Sequence, residues 1–283
     1  MRSMITGYTR LVGLLGYPIK HSKSPRMHNL SFGQLGVDAV YLTFDVEQSN
    51  LADAIKAMRT LNVLGFNVTM PNKQAVIPLL DELSEEARLI GAVNTVSNVN
   101  GVLKGYNTDG IGFVRNLNEH NIDYKTAKVV VGGAGGAGSA VAIQMALCDT
   151  PEMVIFDGNL EAAERLAKNI NDNIKTCKAT ARLMNEADLV EELKTAGLYV
   201  DATPLGMAPL EDKAVISSPD QLPKNIVVTD LTYVPLKTKL LQMAEERGCK
   251  IVTGIGMMYH QGAEAERIWV DKEMPMDYIK ENL

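Results

Sequence analysis

The sequence predicts an α/β chain of two domains, the second built on a doubly wound parallel sheet. Three observations carry that expectation. With 283 residues, 46% hydrophobic and 22% charged, the chain is long enough for two ordinary cores. Short apolar runs alternate with helical patterns along most of its length, as α/β units require. Beyond Ala127 the pattern becomes β-branched strand, glycine loop and long apolar helix, repeated afterwards as strand and helix in turn.

Taken in order, the apolar runs of the first hundred residues are Arg10–Leu15, Tyr41–Val46, Leu51–Leu61, Gly65–Val68 and Ile90–Val96, with a Ser/Pro loop after the first. At Tyr106–Asn118 an Asn/Thr/Asp cluster is suited to capping a helix whose apolar face is Ile111, Val114 and Leu117. This helix is expected to bridge a first domain, residues 1–110, and a second, residues 111–256. In the second, strands are expected at KVVVG, MVIFD, LYVDA, IVVTDL and KIVTG, with a helix at LEAAERLAKNI. Residues 257–283 read as helical and are expected to pack back onto the first domain.

Composition narrows the partners. A net charge of −6 and the lack of any Lys/Arg-rich block offer no basic stripe for a phosphodiester backbone, so nucleic acid is not expected. The patch Leu11–Leu15 is too short and too glycine-broken for a signal h-region, and no run approaches the roughly 20 apolar residues that span a bilayer. Cys148, Cys177 and Cys249 are far apart and lack C-x-x-C spacing, which suggests neither disulfides nor zinc. A cytoplasmic protein with reduced thiols fits, and a homodimer is the assembly kept in view. His21 and His28 lie seven apart without a Cys or carboxylate at ligand spacing, so structural roles are expected and no metal.

The glycine loop carries the first chemistry. In VVVGGAGGAG the pattern G-x-G-x-x-G falls at Gly133, Gly135 and Gly138, directly after a strand and opening a helix. The first glycine permits the turn, the second lets backbone N–H groups approach a pyrophosphate, and the third lets helix and strand pack closely. Gly133, Ala134, Gly135, Gly136 and Ala137 are therefore expected to cradle a dinucleotide in a Rossmann-type domain. Asp157 lies 24 positions after Gly133 at the end of MVIFD, where a carboxylate can accept from both hydroxyls of an adenine ribose. Capping the next helix is its other reading. Gly158 and Asn159 follow it without an arginine to clamp a 2′-phosphate, so NAD is preferred, with NADP admitted because one carboxylate seldom discriminates absolutely.

Four further blocks stand out: His21-Ser22-Lys23-Ser24-Pro25, Asn67-Val68-Thr69-Met70-Pro71-Asn72-Lys73, Gly91-Ala92-Val93-Asn94-Thr95, and Asn107-Thr108-Asp109-Gly110. In combination, and nearly end to end, the chain resembles the shikimate dehydrogenase family. Met70–Gln74, Gly206–Glu211 and the acidic Asp157 look most like its quinate/shikimate, NAD-preferring members. The resemblance implies reversible hydride transfer at C3 between shikimate and 3-dehydroshikimate, or quinate and 3-dehydroquinate, in aromatic amino-acid biosynthesis or quinate use. It also implies a substrate domain and a Rossmann domain with the active site in the cleft between them.

By the same resemblance, Ser22 and Ser24 hold the carboxylate of a ring hydroxy acid. Thr69, Asn94 and Gln261 bind or support its hydroxyls, with Asn67 beside them, and Tyr233 lies near carboxylate and cofactor. Tyr41 is expected to line the carboxylate end, where quinate and shikimate differ. Lys73 and Asp109 match the catalytic pair. A free lysine titrates at about 10.4, so a lysine base needs burial, whereas a carboxylate beside it favours the ammonium. True base and electrostatic stabiliser of the developing alkoxide both stay open.

The nicotinamide end is expected at the loops carrying Thr203, Leu231 and Gly254. Pro204 has no N–H to donate there, which shifts cofactor contacts toward Asp157. Two other functions compete. A methylene-tetrahydrofolate-dehydrogenase-like enzyme would call for aromatic stacking surface, against which stand the paired serines and 5% aromatic content. A non-catalytic ring-acid or dinucleotide sensor could share the fold, against which stand Lys73 and Asp109.

Overall fold

The computed structural model describes residues 5–20 and 22–283. In chain order the elements are β1 (Arg10–Gly16), α1 (Ser24–Leu35), β2 (Ala39–Asp45), α2 (Leu51–Thr60), β3 (Gly65–Val68), β4 (Glu82–Leu83), α3 (Glu85–Ile90), β5 (Thr95–Val99) and β6 (Val102–Tyr106). Then come α4 (Asp109–Glu119), β7 (Lys128–Gly132), α5 (Gly136–Leu147), β8 (Glu152–Asp157), α6 (Leu160–Asn173), β9 (Lys178–Leu183), α7 (Glu186–Leu193), β10 (Leu198–Asp201), β11 (Val227–Asp230), α8 (Lys239–Arg247), β12 (Lys250–Val252), α9 (Ile255–Val270) and α10 (Met276–Asn282). Two compact units divide them, one running to Thr108 and resuming at Tyr259–Leu283, the other spanning Asp109–Met258. Among the described residues no helix is long and apolar enough to cross a membrane.

The first unit holds a six-stranded sheet in the order β2-β1-β3-β5-β6-β4. β1 pairs in parallel with β2 and β3, and β5 turns the sheet antiparallel. Because β1 is apolar along most of its length, it packs on both faces. Leu15 joins Phe66, Val68 and the α2 residues Leu51, Ile55 and Met58 in one core. Val12 and Leu14 join Phe32, Tyr41 and the α9 residues Ala265 and Trp269 in the other. Pro25 sits in the first turn of α1, where its missing N–H costs nothing, and Gly36 ends the helix in the left-handed region at φ 63°. Edge strand β2 is clamped by Asn29, whose side chain accepts from Tyr41 N at 3.0 Å and donates to Tyr41 O at 2.9 Å.

Two features of this unit add to the sequence reading. The apolar run Ile90–Val96 is divided between elements: Ile90 closes α3, Gly91 turns left-handed at φ 69°, and the strand begins at Thr95. Past it, β5 and β6 form a hairpin closed by Asn100 and Gly101 at φ 54° and 85°. These are the two positive-φ residues of a tight turn whose twist matches the flanking strands.

In the second unit six parallel strands run β12-β11-β10-β7-β8-β9. Strand order reverses between β7 and β10, the switch point of a Rossmann-type doubly wound sheet. β9 was not expected, since only Ala179 of KATARL is buried and no apolar run marks the strand. α4 buries Phe113, Val114 and Leu117, while Ile111 stays partly exposed. It approaches α5 so closely that a Cβ on Gly110 would stand 2.5 Å from the carbonyl oxygen of Ala140.

The packing of β3 against α9 is tight enough to test. A Cβ at Gly65 would collide with the Trp269 indole and stand 2.7 Å from Val96 O, the acceptor of the indole N–H at 3.0 Å. Gly65→Ala should cost about 1–3 kcal/mol of stability by overpacking. Urea unfolding checks this as a lower midpoint at unchanged slope.

Candidate functional site

The switch point of the second unit opens a cavity of about 400 Å³ lined by Gly133, Gly135, Asp157, Gly158, Met184, Ala202, Thr203 and Pro204. Its shape follows from bare backbone. Gly133 has φ 100°, and a Cβ there would lie 2.7 Å from Ala202 O, while a Cβ on Gly138 would run into Gly133 O. α5 therefore starts almost on top of the strand end. Around Gly135 and Gly136 a Cβ would meet open space. The first N–H groups of a helix lack intrahelical acceptors, and its dipole is positive there, which makes this corner a cradle for a phosphate.

Asp157 at the end of β8 accepts from Ala134 N at 2.6 Å and from Asn159 N at 2.7 Å. These bonds leave carboxylate lone pairs for ribose hydroxyls. Asn159, not Asp157, caps α6, accepting from Glu161 N at 3.1 Å. Two expected cofactor residues are thus engaged within the protein: Ala134 through its N–H and Asn159 through its side chain. Of the glycine loop, Gly135 and Gly136 are the positions left facing open space. No residue lining the cavity is basic. Met184, which follows β9 and donates its N–H to Asp157 O at 2.8 Å, was missed together with that strand.

Loops at the other strand ends are fixed by backbone contact and by carboxyl groups. Thr203 N donates to Asp201 and Thr232 N to Asp230, each at 2.8 Å. Leu231 N donates to Asp201 O at 2.9 Å, and a Cβ on Gly254 would collide with Leu231 O. Leu231 and Gly254 so touch each other and are not among the cavity lining, which Thr203 joins. Tyr233 is exposed in the loop after β11.

In the first unit a buried polar chain connects several expected substrate residues. The Tyr41 hydroxyl donates to Asn67 Oδ1 at 2.7 Å and also interacts with the Ser24 side chain. Asn67 Nδ2 donates to Asn94 O and Thr95 Oγ1, both at 3.0 Å. Asn94 in turn accepts from Thr108 N at 2.8 Å and donates to Thr108 Oγ1 at 3.0 Å. Burial pushes the Tyr41 phenol far above its ordinary value, so it acts as a neutral donor. Tyr41 is fully buried, so its ring presents no surface to a ligand and the expectation that it lines the carboxylate end is not met. Ser22 Oγ accepts from Ser24 N at 3.2 Å at the start of α1.

Thr69 and Lys73 sit on a pinned turn after β3. Thr69 N donates to Leu15 O at 2.9 Å, Lys73 O accepts from Val93 N at 2.8 Å, and buried Asn72 donates to Val46 O at 2.7 Å. Gln261 lies on α9 and Asp109 is the first residue of α4, in the second unit. His28 places Nδ1 3.1 Å from the Glu266 carboxylate, which also accepts from Ser31, and it stacks on Tyr41 with ring centroids 4.5 Å apart. Sequence spacing could not show this partner 238 residues away. His21 lies outside the described residues, among which no group of three or more His, Cys, Asp or Glu could hold a metal.

Residues 14–96 match the family model described as the shikimate dehydrogenase substrate binding domain. A shikimate dehydrogenase (NADP(+)) of Alkaliphilus metalliredigens is 54% identical over 280 residues, 99% of this chain and 98% of that protein. The solved shikimate 5-dehydrogenase of Listeria monocytogenes, in complex with shikimate and NAD, is 44% identical with a TM-score of 0.95, covering 99% of this chain and 98% of that one. The quinate dehydrogenase of Corynebacterium glutamicum, in complex with NAD, is 32% identical with a TM-score of 0.89, covering 97% and 98%.

Tyr41→Phe leaves buried Asn67 Oδ1 without its donor, and an orphaned buried acceptor costs about 1–3 kcal/mol. Chemical denaturation should show that loss. Stability equal to wild type would remove the Tyr41–Asn67 bond from the structural account.

Proposed function

The chain belongs to the shikimate dehydrogenase family, and on that premise we propose that it interconverts shikimate and 3-dehydroshikimate, with quinate as a second substrate and NAD as the preferred cofactor. It is an NAD(P)-dependent oxidoreductase acting on a CH–OH group. The observation that carries the substrate reading is the content of the matched segment 14–96. It holds Ser22, Ser24, Thr69, Lys73 and Asn94, a hydroxyl-rich and amide-rich set with one cation, suited to a polyhydroxy ring carboxylate.

In this reading Ser22 and Ser24 donate to the substrate carboxylate. Thr69, Asn94 and Gln261 address the ring hydroxyls, and Asn67, its amide committed to Tyr41, Asn94 and Thr95, holds that wall in place. Lys73 and Asp109 serve the reacting C3 hydroxyl. The Lys73 ammonium stabilises the oxygen as negative charge develops or exchanges its proton, and the Asp109 carboxylate accepts from the hydroxyl. A bound nicotinamide supplies the hydride acceptor at its C4. Gly135, Gly136 and Ala137 hold the pyrophosphate and Asp157 the adenine ribose, with Thr203, Leu231, Tyr233 and Gly254 at the nicotinamide end. A cytoplasmic setting completes the proposal, in keeping with three free cysteines.

NAD preference follows from charge. A 2′-phosphate at Asp157 would meet like charge, and the cavity wall offers no cation to offset it. This runs against the NADP(+) in the names of several relatives, so both cofactors enter the test.

Absorbance of reduced nicotinamide, followed with shikimate and quinate against each cofactor, measures all of these. We expect turnover of shikimate, slower turnover of quinate, and a higher kcat/KM with NAD than with NADP. Asp157→Ser should narrow that ratio by about tenfold or more, equivalent to about 1.4 kcal/mol. A ratio favouring NADP in the wild type would overturn the cofactor assignment. Lys73→Ala should lower kcat by about 10²-fold or more, and near-normal turnover would take Lys73 out of the chemistry.

A further inference from the structure

The loops at the ends of β10 and β11 rest on two buried carboxyl groups. Asp201 and Asp230 end these adjacent parallel strands directly opposite each other, so both side chains leave the sheet on the same face. Each is 1% exposed. Each accepts from the backbone N–H two residues on, those of Thr203 and Thr232. The Thr203 side chain also serves Asp201 and the Thr232 side chain Asp230. Asp230 has a further donor, the Thr238 hydroxyl at 2.6 Å, whereas Asp201 Oδ2 is buried without a partner. The buried Tyr199 hydroxyl, two residues back on the same face, is also unpartnered and occupies space that Gly132 leaves, 2.5 Å from where a Cβ would stand.

Apolar side chains pack on that face, among them Val130, Val228 and Leu240. Its other titratable groups near the pair are Tyr199 and Cys249, the thiol donating to Pro223 O at 3.3 Å. Farther off by register are Arg182 on edge strand β9 and Lys128 at the start of β7, both paired with Glu192, with Glu152 and Lys178 level with Lys128. No cation is among the influences on Asp201 or Asp230. Two neighbouring carboxylates in such a place resist ionising together.

Resting on the dinucleotide reading of this unit, we propose that Asp201 and Asp230 hold one proton between them, as carboxylic acid and carboxylate, and act as positioning residues that keep Thr203 and Thr232 in place for the nicotinamide end of the cofactor. Asp230, with the larger set of donors, is suited to the charge. Asp201, with its unpartnered Oδ2, is suited to the proton.

Burial, and then the charge of Asp230, push Asp201 from 3.8 up to about 7, and burial also raises Asp230. A raised acid binds its proton more tightly in the folded state. Its stabilising contribution is full below the unfolded value of 3.8 and is lost as pH rises toward about 7. Above that, the folded protein carries two facing negative charges under the loops.

The test is titration with NADH, chosen because its reduced ring is uncharged, and separately with ADP-ribose, which lacks that ring, from about pH 6 to 9. NADH affinity should weaken above neutrality by up to about tenfold per pH unit in a one-proton transition, while ADP-ribose affinity stays flat. Asp201→Asn and, independently, Asp230→Asn should each give a flat NADH profile, because a carboxamide cannot bring the second charge. A flat wild-type NADH profile overturns the proposal without requiring any variant to fold, as does a transition that survives in either folded variant. ADP-ribose binding by the wild type tests the dinucleotide reading separately, so a flat NADH profile with ADP-ribose bound counts against the pair alone.

Discussion

At the carboxyl end of β7 backbone meets backbone, with Gly133 beneath the carbonyl of Ala202 and Gly138 against that of Gly133. No side chain fits at either contact. The consequence is an α5 whose N-terminus opens straight onto the crevice, and a loop short enough for its Ala134 N–H to reach Asp157 on the neighbouring strand. The open helix N-terminus and the placement of the Asp157 carboxylate, the two features on which the proposed cofactor site rests, are thus set by one steric condition. Helix dipole and strand-end charge add their preferences to a geometry that two hydrogen atoms in place of side chains make available.

The first unit solves a different problem, that of presenting polar groups from inside an apolar sheet. Tyr41, Asn67, Asn94, Thr95 and Thr108 satisfy one another in sequence. Each buried donor or acceptor on its own would be a liability, whereas a connected set is rigid and specifies one arrangement. His28 and Glu266 perform the same service between α1 and α9. The side chains closest to the proposed substrate therefore stand on neighbours that have little freedom to move.

Several of these features could be read from the sequence because their signals are local. The glycine pattern, the β-branched strands before it and the aspartate ending β8 each follow from short spacing, and so does the start of α4 at Asp109. The β5–β6 hairpin was equally local, since Asn100-Gly101 is a strong turn signal, but its flanking strands carry polar and small residues that counting apolar runs passes over. β9 escaped for a related reason, as an edge strand with little to bury. Glu266 opposite His28 and Asp201 opposite Asp230 were out of reach altogether. The first depends on a contact across 238 residues, the second on strand register, and neither leaves a mark in spacing.

One modest contact has a wider effect. Asn29 uses its side-chain amide as a substitute peptide, filling both the N–H and the C=O of Tyr41 on the outer side of β2. An edge strand with its outward groups open is a template onto which another extended chain can add. Here the middle of that template is already occupied by the protein's own side chain, which leaves an added strand in the folded protein fewer open groups to pair with.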